Sequence, residues 1–226
     1  EDLFHRLREE WRAEIGAHLH PWNTPPIIHM HHPEPIPSEL IPRTILQAKL
    51  ETLMETLHRR GFQPRSFRMG RFDLGPRVLK LLMEHGFKID SSVAPLRQYG
   101  GGPNHLGASA EPYFPDPDHP TQPGDASILE VPLTNIPVVR GLHRIIGRLP
   151  RKGLLPSAPT AWAVQYLFCL TCQPMGVPLP HLKLAARLHH KRGGRVLTVY
   201  FHSSEVAPGG CPKHPTMEKV QAFVDK

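Results

Sequence analysis

The sequence predicts an α/β fold assembled from parallel strand–helix units, and three observations carry that expectation. Short apolar runs alternate with amphipathic stretches of helical period. Glycines close several of those stretches, at Gly61, Gly86 and Gly193. Polar residues gather where the strands should end, at His18, Arg68, Asp90 and His202. In parallel α/β folds chemistry sits at the C-terminal ends of strands.

Taken in order, residues 3–13 fit a helix with Leu3, Leu7 and Trp11 on one stripe. AEIGAH (13–18) reads as a short strand, followed by a Pro/His-rich loop to about Pro37. From Ser38 to about Arg60 an amphipathic helix is expected, closed by Gly61. FQPRSFRMG (62–70) supplies a strand, RVLKLLMEHG (77–86) a helix, and FKIDSSV (87–93) another strand. Residues 95–127 are loop-rich and contain a GGG run at 100–102. ILEVPLT (128–134) alternates like a strand, 136–160 is irregular and basic, and 160–173 reads as an apolar helix. A helix over 180–193 precedes RVLTVYFHSSE (195–205), which reads as a buried β-branched strand, and a last helix starts near Thr216. There is no internal repeat and no sign of a second domain, so residues 1–226 read as one domain. Because the chain opens in mid-helix and its last helix is cut at Lys226, it is expected to be an excerpt of that domain.

The chain has 226 residues, 39% hydrophobic and 21% charged, a balance suited to a globular core. No run approaches the ~18 apolar residues that cross a bilayer. The charged N-terminus is not a signal peptide, although one further upstream stays open. The net charge of +7 is scattered, as in Arg140, Arg144, Arg148, Arg151 and Lys152, without interleaved aromatics. It therefore reads as a solvated basic surface, with no nucleic acid expected as partner. Cys169, Cys172 and Cys211 are too few for a disulfide framework and read as core thiols, which favours a cytoplasmic over a secreted setting.

The chemistry begins with EIGAHLHPW. Residues i and i+2 of a strand face one side, so His18 and His20 can present two imidazoles to one ion. Asn23, His29, His31 and His32 stay open as alternatives for the second donor, with HMHHP read as loop. Asp90, at a strand end, either caps the next turn or orients a histidine.

EIGAHLHP resembles the second motif of the polysaccharide deacetylases (the NodB-homology domain of carbohydrate esterase family 4). FRMGR (67–71) is similar to their arginine-centred third motif. RVLKLLMEHGFKIDSSVAP and ILEVPLT resemble the helix and strands that follow, and YFHSSE (200–205) looks like their last histidine motif. HLHPWNTPP with FHSSE is similar to a WalW-like branch. The resemblance covers nearly the whole chain. It implies a distorted, seven-stranded, TIM-like (β/α) barrel, here lacking its first strand, and a metal-dependent hydrolase that removes N- or O-acetyl groups from a glycan.

It also implies roles. His18 and His20 would bind a divalent metal, zinc, which acidifies water and polarises the acetyl carbonyl. His202 would be the general acid, Arg68 would hold charged groups, and Asp90 would pair with His202. Two departures stand out. The family spaces its metal histidines four apart, against two here, and its Asp-Asp first motif is missing. The alternative is therefore a catalytically inactive barrel that binds glycan or assists cell-surface polysaccharide assembly.

Overall fold

The structure is a computed structural model that describes residues 2–33, 36–98, 102–148 and 158–225. Most of the GGG run, together with Arg151 and Lys152, lies outside those residues. Four short parallel strands make the central sheet, in the order β1 (Ala17–Leu19), β2 (Ser66–Met69), β3 (Ile89–Asp90) and β4 (Leu129–Glu130). Helix α1 (Asp2–Trp11) precedes β1, while α2 (Arg43–Arg59) and α3 (Pro76–Glu84) are the crossovers that parallel pairing requires. The register sets Ala17 beside Phe67, Phe67 beside Asp90, and Asp90 beside Glu130, while His18 pairs with Arg68.

The local sequence explains these elements. In α2, Leu46, Lys49 and Leu50 are buried and Leu53 and Leu57 pack behind them, a spacing that forms one helical face. Helix α3 starts with a proline in its first turn, where the missing amide hydrogen costs nothing, and buries Val78, Leu79, Leu81 and Leu82. It ends before Gly86, whose φ of 77° only glycine adopts without strain. These residues join Phe67, Met69, Phe87 and Ile128 in the principal core.

In EIGAHLHP, Glu14 and Gly16 are structural. Glu14 Oε1 accepts the backbone N–H groups of Arg65 (2.9 Å) and Ser66 (2.8 Å), fixing the start of β2. A Cβ on Gly16 would stand 2.5 Å from Ser66 Oγ, so glycine is what lets β1 approach β2.

Several expectations need correction. The expected seven-stranded barrel is not there: the described residues form an open four-stranded sheet. After β4 the chain makes β5 (Asn135–Pro137), which pairs antiparallel with β6 (Cys169–Thr171) in a separate ribbon. Closure requires strands that continue, tilted and staggered, until the last pairs with the first, and among the described residues the pairing runs from β1 to β4 and stops.

The expected helix over 160–173 is shorter, α5 (Ala158–Tyr166), and its second part is β6. Cys169 and Cys172 are nonetheless buried, and burial pushes the Cys169 thiol up to about 11. Residues 136–160 contain a helix, α4 (Leu142–Arg148). The expected buried strand over 195–205 is not a strand, and most of its apolar side chains are exposed. Val196, Leu197, Val199 and Phe201 are exposed, and the segment meets the fold through the Thr134–Thr198 hydrogen bonds, the Val196 carbonyl on His189 Nε2 and Tyr200 against Phe72. Helices α6 (Leu179–Lys191) and α7 (Met217–Val224) form as expected, the latter capped by the Thr216 hydroxyl. The stripe Leu3, Leu7, Trp11 lies on α1, but Leu3 and Trp11 are exposed. No helix among the described residues is long and apolar enough to cross a membrane.

Candidate functional site

Alternation along β1 buries Ala17 and Leu19 and turns His18 to the opposite face. The imidazole of His18 is fixed by a 2.8 Å hydrogen bond between Nδ1 and the Arg68 carbonyl on the next strand. A carbonyl only accepts, so Nδ1 carries the proton and Nε2 keeps its lone pair facing outward. Burial, followed by the nearby positive charge of Arg68, depresses the His18 pKa although its backbone hydrogen bond opposes this. The ring is therefore a neutral donor at neutral pH.

His20 follows on the same side, and its ring meets that of His18 edge to face, with centroids 4.3 Å apart. It is locked from behind by Trp22, stacked at 4.4 Å, and the Arg71 guanidinium lies 4.4 Å from the Trp22 ring. Desolvation and then the charge of His18 lower the His20 pKa as well. The FRMGR motif makes room for this stack. A Cβ on Gly70 would fall 2.4 Å from His20 Cδ2 and 2.8 Å from the Leu19 carbonyl oxygen. The next two residues, Arg71 and Phe72, have φ of 58° and 57°, left-handed conformations that cost energy in non-glycine residues. That strain carries the chain sharply out of β2 and aims Arg71 at Trp22.

Arg68 extends from the same face as His18 and is anchored on the loop after β3, donating from Nε to the Ser91 carbonyl and from Nη2 to Ser91 Oγ, both at 2.9 Å. Tyr200 closes this side: its ring packs on Phe72 at 5.1 Å and leads to His202. His202 stands near enough to His18 and His20 for its charge to oppose theirs. The structure thus brings His18, His20, Arg68 and His202 together. Asn23 lies in the turn after His20, while His29, His31 and His32 are exposed in the following loop. Lys49 holds that loop on α2 by donating to the carbonyls of Thr24 and Pro26.

Asp90 is placed differently from its expected role. The register sets it with Phe67 and Glu130, not with Arg68, and it is fully buried. Its carboxyl accepts from Ser92 Oγ (2.7 Å) and the Ser92 amide and adjoins the equally buried Glu130. It is a turn-capping group inside the core, and among the described residues its carboxyl hydrogen-bonds to Ser92 and Glu130. The partner of His202 is Glu205, whose Oε1 lies 2.8 Å from His202 Nδ1 on the single 3₁₀ turn 203–206. Glu205 was missed in the sequence. Its signal was the i, i+3 spacing in HSSE, which meets only if the strand stops at His202.

Loops including Glu39, Asp73, Leu106, Asp116 and His119 line an open cavity of about 800 Å³, and none of the three histidines borders it.

The metal fit is partial. Two neutral imidazoles of suitable tautomer are present, but a catalytic zinc takes three protein ligands. No group of three His, Cys, Asp or Glu placed to hold a metal occurs among the described residues.

No family model matches the chain, and no curated protein matches it. It is similar to a solved structure from Mycobacterium smegmatis titled a "putative polysaccharide deacetylase", at 18% identity and a TM-score of 0.40. The match covers 82% of this chain and 50% of that one, so this chain spans about half the length of that protein. A likeness this distant adds nothing to the functional argument.

Proposed function

We propose that this chain is part of a single catalytic domain of a hydrolase that removes acetyl groups from a sugar in a polysaccharide or glycan precursor. The observation that supports it most is the clustering of His18 and Arg68, on adjacent parallel strands, with His20 just beyond β1 and His202 from the C-terminal segment. The motif resemblance of EIGAHLHP, FRMGR and YFHSSE adds the substrate class.

In this reading the Glu205 carboxylate fixes the His202 ring with its proton on Nδ1, leaving Nε2 to exchange a proton with the departing sugar oxygen or nitrogen. Arg68, held by Ser91, supplies a positive charge beside the developing oxyanion. His18 and His20 would be the donors to a divalent ion such as zinc. Two imidazoles fall short of a complete site, so no step is assigned to the ion.

Acetate release from N-acetylated chito-oligosaccharides tests the proposal, with zinc added and with it chelated. Release that falls about 100-fold or more in His202→Ala supports the acid role, and undiminished release removes it.

The incomplete ligand set favours a second reading, a deacetylase-like domain that binds glycan without hydrolysing it. Oligosaccharide binding with no acetate release under either condition would establish that reading.

A further inference from the structure

A second cluster of charge lies in the part of the molecule that the proposed hydrolase site does not use. The turn after β5, helix α4 and the end of α6 enclose a cavity of about 350 Å³. Among the described residues its charged lining is Arg140, Arg144, Arg192, His143, His189 and one carboxylate, Glu111.

The balance of charge there is unusual. Arg192 is held by donating from Nη1 to the Pro137 carbonyl and from Nη2 to the Val138 carbonyl (2.9 Å), contacts that orient the guanidinium without neutralising it. Glu111 lies 3.7 Å from His189 Nδ1, so the one available carboxylate is already turned to a neighbour. Among the described residues Arg140 and Arg144 make no ion pair. His143 Nδ1 is shielded from solvent and has no hydrogen-bond partner among the described residues. Burial, and then the adjacent Arg144 charge, disfavour protonation of His143. A buried polar atom without a partner destabilises the fold, because it has lost its water and gained nothing in return. Like charges brought around a cavity without a counter-charge repel one another. Both costs are relieved by the same thing, a small ligand rich in acceptor oxygens.

We infer that this cavity is an anion site for a small phosphate-bearing ligand, gripped by Arg140, Arg144 and Arg192 with His143 as a further hydrogen-bonding group. Guanidinium groups match phosphate oxygens in geometry and charge and keep their charge at all physiological pH. The volume lies at the lower end for ligand pockets, which suits a phosphomonoester such as a sugar phosphate and excludes burial of a polymer. The inference is independent of the hydrolase reading, because it shares no residue with that site.

Inorganic phosphate and glucose 6-phosphate, titrated calorimetrically into the intact chain with glucose as the neutral control, test it. Both phosphates should bind, glucose should not, and a matched series in sodium chloride should not reproduce the effect. In Arg140→Ala/Arg144→Ala the affinity should drop at least tenfold. Both side chains are exposed, and unchanged circular dichroism would verify that the variant folds. In the unaltered chain the ¹⁵N resonances of the His143 ring should shift on adding phosphate, which gives a readout free of any substitution. Absence of phosphate binding, equal affinity in the double variant, or an unmoved His143 ring would each overturn the assignment.

Discussion

The part of the chain from β1 to β4 and the part after it reach the same candidate site by different physical means. In the first, His18 and Arg68 project from adjacent parallel strands whose other faces are sealed by Phe67, Met69, Leu79 and Leu82. Each ring or guanidinium is also tied to a neighbouring backbone carbonyl. In the second, His202 follows a segment whose apolar side chains are exposed, and Glu205 orients it from one short turn. A preorganised imidazole pair therefore faces a histidine that is held locally, by its own i+3 neighbour. In the proposed reading the sheet side sets the position of the site, and the C-terminal side would bring the group that transfers the proton.

The sharpest way to break this contrast is to cut the core on the sheet side. Phe67→Ala removes a fully packed ring and should cost about 3–5 kcal/mol in urea unfolding. Gly70→Ala drives a methyl into His20 and the Leu19 carbonyl and should cost about 1–3 kcal/mol. The His20 ring resonances should move in this variant, and their staying put would show that the close approach is absent in solution. On the other side, Val199→Ala should cost under about 0.5 kcal/mol, as expected of a surface substitution. A loss comparable to that of Phe67→Ala would mean that 195–201 is packed after all.

The buried acid pair gives a pH test confined to the sheet. Burial raises the pKa of Asp90, and burial followed by the Asp90 charge raises that of Glu130 well above the carboxylate range. The folded state thus retains protons that the unfolded chain releases. The pair's contribution to stability is fully present below the ordinary carboxylate range and is lost as pH rises through the folded pKa values. Arg68 offsets part of this by favouring the ionised forms, whereas Tyr113 packs nearby as a neutral phenol donating to the Pro120 carbonyl. Stability should decline toward alkaline pH, and Glu130→Gln should flatten that slope; an equal slope in both proteins would contradict the shared burial.

What the sequence disclosed follows the same division. The periodic helices at 43–59, 76–84 and 179–191 and the parallel strands at 17, 66 and 89 were legible because one buried face imposes a period. The run TAWAVQYLFCLTC has no period, and such runs do not distinguish helix from strand; it divides into α5 and β6. RVLTVYF carries the composition of a buried strand, yet no neighbouring strand in the described residues pairs with it over its length. Barrel closure was illegible for the same reason, since it depends on partners and not on any residue's own preference. Within the site, His18 and His20 could be paired from strand alternation alone. The surroundings of Asp90 were not legible because they depend on the register, which ranks Asp90 with Phe67.

Acetate release from an N-acetylated chito-oligosaccharide by the three single alanine variants decides whether His18, His20 and His202 act as one site. Loss of about 100-fold or more in all three, with urea stability near that of the unaltered protein, is the predicted result. Full activity in any one of them would separate that histidine from the site and contradict the account.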